Sequence, residues 1–153
     1  MAEWPGLDEG GKRLNEEGER FLNAHTRKGI LITNGKGGHP HAVPLSYFRV
    51  SDDLYMSGRR RTQRLANIAR DPKVSFLVED GEDMASFQAL LIQGEAEVIS
   101  DDAEKLRIAR AAAEQRGDAE DRWPAEPSPG TLIRVRPSKY ISWDNTRAQP
   151  RQS

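Results

Sequence analysis

The sequence predicts a mainly β, α+β fold: six strands in an antiparallel meander that close into a small barrel, with peripheral helices packed on its ends. Three observations predict it. Runs alternating apolar and polar residues recur along the chain, separated by Asn-Gly, Asp-Asp and Gly-rich turns. Segments of helical period interrupt the meander after the third and the fifth strand. Inside the longest alternating run stands a glycine, Gly94, of the kind found at the bulges and tight bends that close barrels.

At 153 residues the chain fits a single domain with one core. We expect an N-terminal arm over 1–11, the domain over 12–143 and a disordered tail over 144–153. Lys and Arg number 23 against 24 Asp and Glu, a formal charge of -1, so there is no global attraction to nucleic acid or an acidic membrane, and any basic function is local. A hydrophobic share of 36% beside 31% charged residues fits a small soluble protein with little core to spare, for which a partner subunit is expected. With no cysteine, disulfides, thiolate metal sites and cysteine nucleophiles are excluded. The N-terminal residues show no apolar run behind a basic start, and no window reaches bilayer-spanning length, so a cytoplasmic location is the default expectation.

The elements follow in order. The arm mixes Pro, Gly and acids, with Trp4 as its one candidate anchor. From about Lys12 to His25, Leu14, Phe21 and Leu22 recur at helical spacing with small Gly18 and Ala24. Gly29 to Thr33 is a short strand, and Asn-Gly-Lys-Gly-Gly turns it into a second beginning near His39. That strand places His41, Val43, Leu45 and Tyr47 on one face and Ala42, Pro44, Ser46 and Phe48 on the other. Asp52 and Asp53 turn into a third strand, Leu54 to Ser57. After Gly58 the period becomes helical, with Leu65, Ile68 and Ala69 inward, until Asp71-Pro72 stops it. Val74 to Glu79 is the fourth strand, an acidic loop follows, and Leu90 to Val98 is the fifth. Asp101, three residues before Glu104, caps a helix through about Gln115 with Leu106, Ala109 and Ala113 as its apolar face. The last strand runs from Thr131 to Trp143, interrupted by Pro137.

Chemistry concentrates between His39 and Pro72. Pro44 cannot donate to a ladder, so its strand is an edge or a place where pairing lapses. That is either an ordinary proline-bearing strand end or free backbone suited to the edge of a flat heterocycle. Arg59, Arg60, Arg61 and Arg64 gather at a helix start with Ser57, Thr62 and Gln63. Helix-start N–H groups and guanidinium forks suit phosphate oxygens; the alternatives are a solvated face or a modest nucleic-acid patch. His39 and His41 point the same way on a strand, but no third ligand is placed beside them, so no metal is expected. Ser46 lacks a nucleophile-elbow context, and no hydrolytic triad is present. Trp143 is either plain core or a lid over a bound ring.

Taken together, GHPHAVPLSYF, LYMSG and RTQRLANIARDPKVSFLVE resemble the pyridoxamine 5'-phosphate oxidase-like, flavin-binding split-barrel superfamily over about Phe21 to Trp143. The resemblance implies a split β-barrel and a flavin ring at Val43, Pro44, Leu45 and Ser46. It implies that Arg64 holds the phosphate, aided by Ser57, Thr62 and Gln63. It also implies a homodimer with cofactor sites at the interface, where Trp143 serves the partner's site. FMN is the cofactor so implied, with the 8-hydroxy-5-deazaflavin coenzyme as the alternative, whose acidic tail Arg59 to Arg61 would reach. Two departures stand out: the chain ends WDNTRAQPRQS without the Arg-x-His substrate motif of vitamin B6 oxidation, and Arg64 occupies a position where lysine is common.

The expected function is an oxidoreductase moving hydride between the bound cofactor and a small organic substrate stacked near His41, Tyr47 or Trp143. The alternative is a non-catalytic module that sequesters flavin or haem, and nucleic-acid binding through the arginines is a third reading.

Overall fold

The computed structural model describes residues 7–26 and 28–147; Trp4 and positions 148–153 lie outside the described residues. The arm's Leu7 bridges to Leu14 and packs on the main core. Helix α1 spans Glu16–Ala24, where Asn15 caps it by accepting from the Gly18 amide at 3.1 Å and Phe21 and Leu22 are buried. Strands β1 (Gly29–Asn34) and β2 (Pro40–Leu45) form a hairpin, β3 (Phe48–Val50) and β4 (Asp53–Gly58) a second, and α2 covers Gln63–Arg70. Strands β5 (Lys73–Asp80) and β6 (Gln88–Ile99), helix α3 (Asp102–Arg116) and strand β7 (Thr131–Asp144) complete the chain. Asn145–Arg147, assigned to a disordered tail, form a 3-10 turn. Among the described residues no helix is long and apolar enough to cross a membrane.

The strands make one antiparallel sheet of seven, in the order β2-β1-β5-β6-β7-β4-β3. This corrects the closed six-stranded barrel: the strand expected from His39 onward is two, and the sheet keeps two edges, β2 and β3. Tyr47 is the cause. Its amide donates to the Thr26 carbonyl at 2.9 Å and its hydroxyl to the Leu22 carbonyl, so the chain leaves the β1 ladder after Leu45 and is pinned to the end of α1. Because only Ser46 and Tyr47 join the edge strands, their adjoining ends stay within about 10 Å of each other, and the sheet curls.

Gly94 does sit at a bulge. The β6–β7 register shifts between Gln93 and Gly94, leaving Ser138 as the extra residue, and a Cβ on Gly94 would collide with the Arg136 carbonyl. The bulge absorbs Pro137, so β7 continues through it. The inner face buries Leu31, Leu54, Met56, Phe76, Leu90, Ile92 and Ile133 together with Phe21 and Leu22 of α1 and Ile68 of α2. Beneath α3 a second cluster joins Tyr55, Ile99, Ile108 and Leu132. Helix α3 buries Ile108, Ala112 and Ala113; of the expected Leu106, Ala109 and Ala113 only the last is buried, the first two being half-buried, a small rotation of the face. The rotation follows from Lys105, 3% exposed, whose ammonium donates to the Ser128 and Gly130 carbonyls at 2.8 and 2.7 Å and meets Asp102 at 3.0 Å.

Candidate functional site

The site is built where β4 passes into α2. Gly58 is the last residue of β4, and a Cβ there would collide with the Thr131 hydroxyl, which donates to the Gly58 carbonyl at 3.0 Å. The chain then turns outward through exposed Arg59, Arg60 and Arg61, the last in the left-handed region at φ 59°. Thr62 holds the N-cap position of α2 but its hydroxyl makes no cap; it is buried without a partner. Arg64, in the first turn, is only 9% exposed. Its Nη2 reaches the Ser57 carbonyl at a long 3.5 Å, and its Nε–H is buried with no acceptor. Burial, and after it the charge of Arg59, lowers the guanidinium pKa from its usual value.

Three features converge here. A buried cation without a carboxylate among the described residues is costly, as is each orphaned donor. The first-turn N–H groups of a helix have no intrahelical acceptors. Helices α1 and α3 place Glu16, Glu17 and Glu19, or Asp102 and Glu104, in that turn, whereas α2 has no acid there. The donors present fit an oxyanion such as phosphate, with Arg64 and Thr62 as its side-chain ligands.

Asn67, one turn on, was missed by the sequence reading. It is fully buried, donates from Nδ2 to Thr33 Oγ1 at 2.9 Å, and accepts from Gln63 Nε2 at 2.8 Å and Arg70 Nη2 at 3.4 Å. This network fastens α2 to β1, and Arg70 adds a bond to the Asn34 carbonyl. Of the helical face read as Leu65, Ile68 and Ala69, Ile68 is buried and Leu65 packs half-buried on the core, but Ala69 is exposed, and Arg64 and Asn67 are buried in addition. A polar residue three positions after Arg64 was the available signal, since i and i+3 share a face. Gln63 itself is exposed, its amide spent on Asn67.

On the adjoining edge strand, Thr33 of β1 lies opposite His41 of β2. Val43 and Leu45 turn inward, half-buried on the main core, while Pro44 and Ser46 are exposed. Pro44 does stand on an edge, since β2 pairs only with β1. The structure thus brings Ser57, Thr62, Gln63 and Arg64 together at the β4–α2 passage, and the Asn67–Thr33 bond fastens that helix to β1, the strand that pairs with β2. Trp143 is not brought there. It lies half-buried opposite Ala89 near one end of β7, whereas Thr131 at the other end pairs with Gly58. Straightened, that 14-residue strand would span roughly 45 Å. On the outer side of the α2 start an open hollow of about 750 Å³ is lined by Arg60, Arg61, Leu65, Lys105 and Thr131. Among the described residues no group of three or more His, Asp or Glu side chains is placed to hold a metal.

Comparison with known proteins shows the family and the fold. A reductase of Streptomyces rimosus, 5a,11a-dehydrotetracycline/5a,11a-dehydrooxytetracycline reductase, is 26% identical over 122 residues, which are 75% of this chain and 72% of the relative. A conserved hypothetical protein of Mycobacterium tuberculosis has a similar solved structure, with TM-score 0.69, 24% identity and 95% of each chain covered. An F420 Reductase structure is similar with TM-score 0.58 and 20% identity over 88% of this chain and 98% of its own. The family model described as Pyridoxamine 5'-phosphate oxidase matches residues 14–144, which include every strand and helix that builds the site. The chain belongs to the pyridoxamine 5'-phosphate oxidase family.

Proposed function

We propose that the chain is a homodimeric oxidoreductase that binds a phosphate-bearing flavin, FMN or the 8-hydroxy-5-deazaflavin coenzyme, and acts on a small organic substrate. The observation that carries this is the pair of unsatisfied buried groups at the start of α2, Arg64 Nε–H and the Thr62 hydroxyl, in a chain of a family described as an oxidase. The names of the similar proteins, a tetracycline-precursor reductase and an F420 Reductase, support redox chemistry. When bound, a flavin or deazaflavin supplies hydride transfer. The chain's own part is to hold and orient: Arg64 and Thr62 take the phosphate, Ser57 and Gln63 shape the turn, and the backbone of Val43 to Ser46 flanks the ring along an open sheet edge.

The dimer is supported by an apolar row on the outer sheet face. Register partners Pro44, Ile30, Leu77, Leu91 and Ile141 run side by side across five strands, half-buried or exposed in the single chain. An apolar row this continuous fits an interface better than open solvent. Trp143, two residues beyond Ile141 on the same face, would then serve the partner's ring.

Fluorescence titration with FMN and with the deazaflavin coenzyme, followed by hydride-transfer assays on candidate acceptors, tests the proposal. Arg64→Ala should weaken cofactor binding markedly with the fold intact. A protein that binds neither cofactor refutes it, and one that binds without any turnover is a sequestering module instead.

A further inference from the structure

We propose that Lys105 of α3 is a positioning residue for the phosphate site: through the 128–130 loop and the Thr131 hydroxyl it fixes the turn that leads to Thr62 and Arg64. Every step of the connection is a short contact. Lys105 Nζ donates to the Ser128 and Gly130 carbonyls at 2.8 and 2.7 Å. Gly130 leads directly into Thr131, the first residue of β7, whose hydroxyl donates to the Gly58 carbonyl at 3.0 Å. Gly58 is the last residue of β4, and the run Arg59 to Thr62 follows it into α2. Gly130 stands so close to that same carbonyl that a Cβ on it would lie 3.3 Å away, and its φ of 79° is left-handed. The open hollow beside the α2 start is lined by Lys105, Gly130 and Thr131 together with Arg60 and Arg61, so the clamp and the turn meet there.

The loop's own sequence explains why a lysine stands there. Pro127 and Pro129 flank Ser128, and neither has an N–H to donate, so the carbonyls are the handles by which the loop is held. Side chains of α3 take them: Arg110 Nε donates to the Pro124 carbonyl at 3.1 Å, and Lys105 takes the two nearest the turn. Lys105 is 3% exposed, whereas Asp102, its ion-pair partner at 3.0 Å, is largely in solvent. An ammonium carried that far inside is costly unless its three donors are engaged, and the two carbonyls and Asp102 engage them. A phosphate site needs its donors in place before the ligand arrives, since any freedom they keep is lost on binding. The turn restrains itself weakly: Arg61 is left-handed, the Thr62 hydroxyl makes no cap, and the Arg64 bond to the Ser57 carbonyl is a long 3.5 Å. Its anchor on the sheet is Gly58, paired with Thr131, and Lys105 holds the residues that lead into that pair. The inference rests on the phosphate-site reading of α2 and adds no ligand to it.

The test compares FMN with riboflavin, and the deazaflavin coenzyme with its phosphate-free core, by fluorescence titration. Wild type, Lys105→Met, Thr131→Val and Thr131→Ser are measured, with a circular-dichroism melt of each apo-protein to confirm folding. Lys105→Met keeps the side-chain length and removes the donors; Thr131→Val breaks the last link, and Thr131→Ser keeps it. The expected result is a loss of about ten-fold in affinity for the phosphorylated ligand in Lys105→Met and Thr131→Val. The phosphate-free ligand should bind both as it binds wild type, and Thr131→Ser should match wild type for every ligand. An equal loss for both members of a pair would make the clamp a general support of the fold and overturn the inference, as would an unchanged affinity in either Lys105→Met or Thr131→Val. If Lys105→Met does not fold, the Thr131 variants decide: a phosphate-specific loss in valine that serine does not share upholds the connection, and any other pattern overturns it. If wild type shows no preference for the phosphorylated member of either pair, the α2 reading itself falls; a preference that survives in every variant refutes the role of Lys105 and leaves the α2 site standing.

Discussion

The Asn67–Thr33 contact is where the site and the fold meet, and it can be weighed. Both residues are fully buried, and the bond between them is 2.9 Å long. Thr33→Val keeps the volume but leaves the Asn67 Nδ2–H₂ without an acceptor, which costs about 1–3 kcal/mol for a buried amide. Asn67→Leu loses that bond and releases Gln63 and Arg70, whose exposed side chains recover water. The change strands only the Thr33 hydroxyl, and about 2 kcal/mol is expected. The double variant removes both polar partners, so neither orphan remains, and its cost should fall short of the sum by about 1–2 kcal/mol. Urea unfolding of the four apo-proteins measures this as midpoint shifts at constant m. Additive costs to within about 0.5 kcal/mol would show that the two side chains do not depend on each other, and the account of how α2 is fastened would be wrong.

Other outcomes follow from single features. Arg61 holds a left-handed backbone, so Arg61→Gly should raise stability by about 1 kcal/mol in a thermal melt; an unchanged or lower midpoint refutes the strain. Leu91 is central in the outer apolar row, and Leu91→Arg should convert the proposed dimer to monomers in sedimentation velocity while the circular-dichroism spectrum persists; a wild type that sediments as a monomer, or a variant that sediments as wild type, refutes the outer row as an interface. Burial alone would raise the Asp144 pKa, but hydrogen bonds from Thr146 and Gln88 outweigh it and hold it below the usual carboxylate value. Its stabilising contribution is therefore full above the unfolded value of about 3.9 and is lost as pH falls through the folded one. Asp144→Asn should accordingly lower the melting temperature at pH 7 and narrow its gap to wild type toward pH 2; a constant gap across that range refutes the linkage.

Much of the fold was legible because its signals are local. Alternation marked the buried strands, Asp101 the start of α3 and Gly94 the bulge, each through a preference acting within a few residues. What escaped depends on contacts made at a distance. Periodicity alone carries β2 straight through Tyr47; the break comes from bonds to Thr26 and Leu22 on another element. Apolar counting likewise found Ala113 of the α3 face but missed Ile108 and Ala112, because a buried lysine clamping loop carbonyls reads as a surface charge in sequence. At the site, Arg64 was legible as a charge at a helix start. Asn67 was not, since an asparagine in a helix looks exposed until its partner on β1 is known.

The open edge of the sheet has a consequence for solubility. A strand that pairs on one side presents a row of backbone donors and acceptors to any other strand, its own copies included. Along β2 the chain places Pro40 and Pro44, both exposed, and a proline has no N–H to offer. The prolines along this open edge thus deny it to a growing strand stack. Replacing Pro44 with valine would leave the β1 pairing in place and turn that edge into a template for self-association.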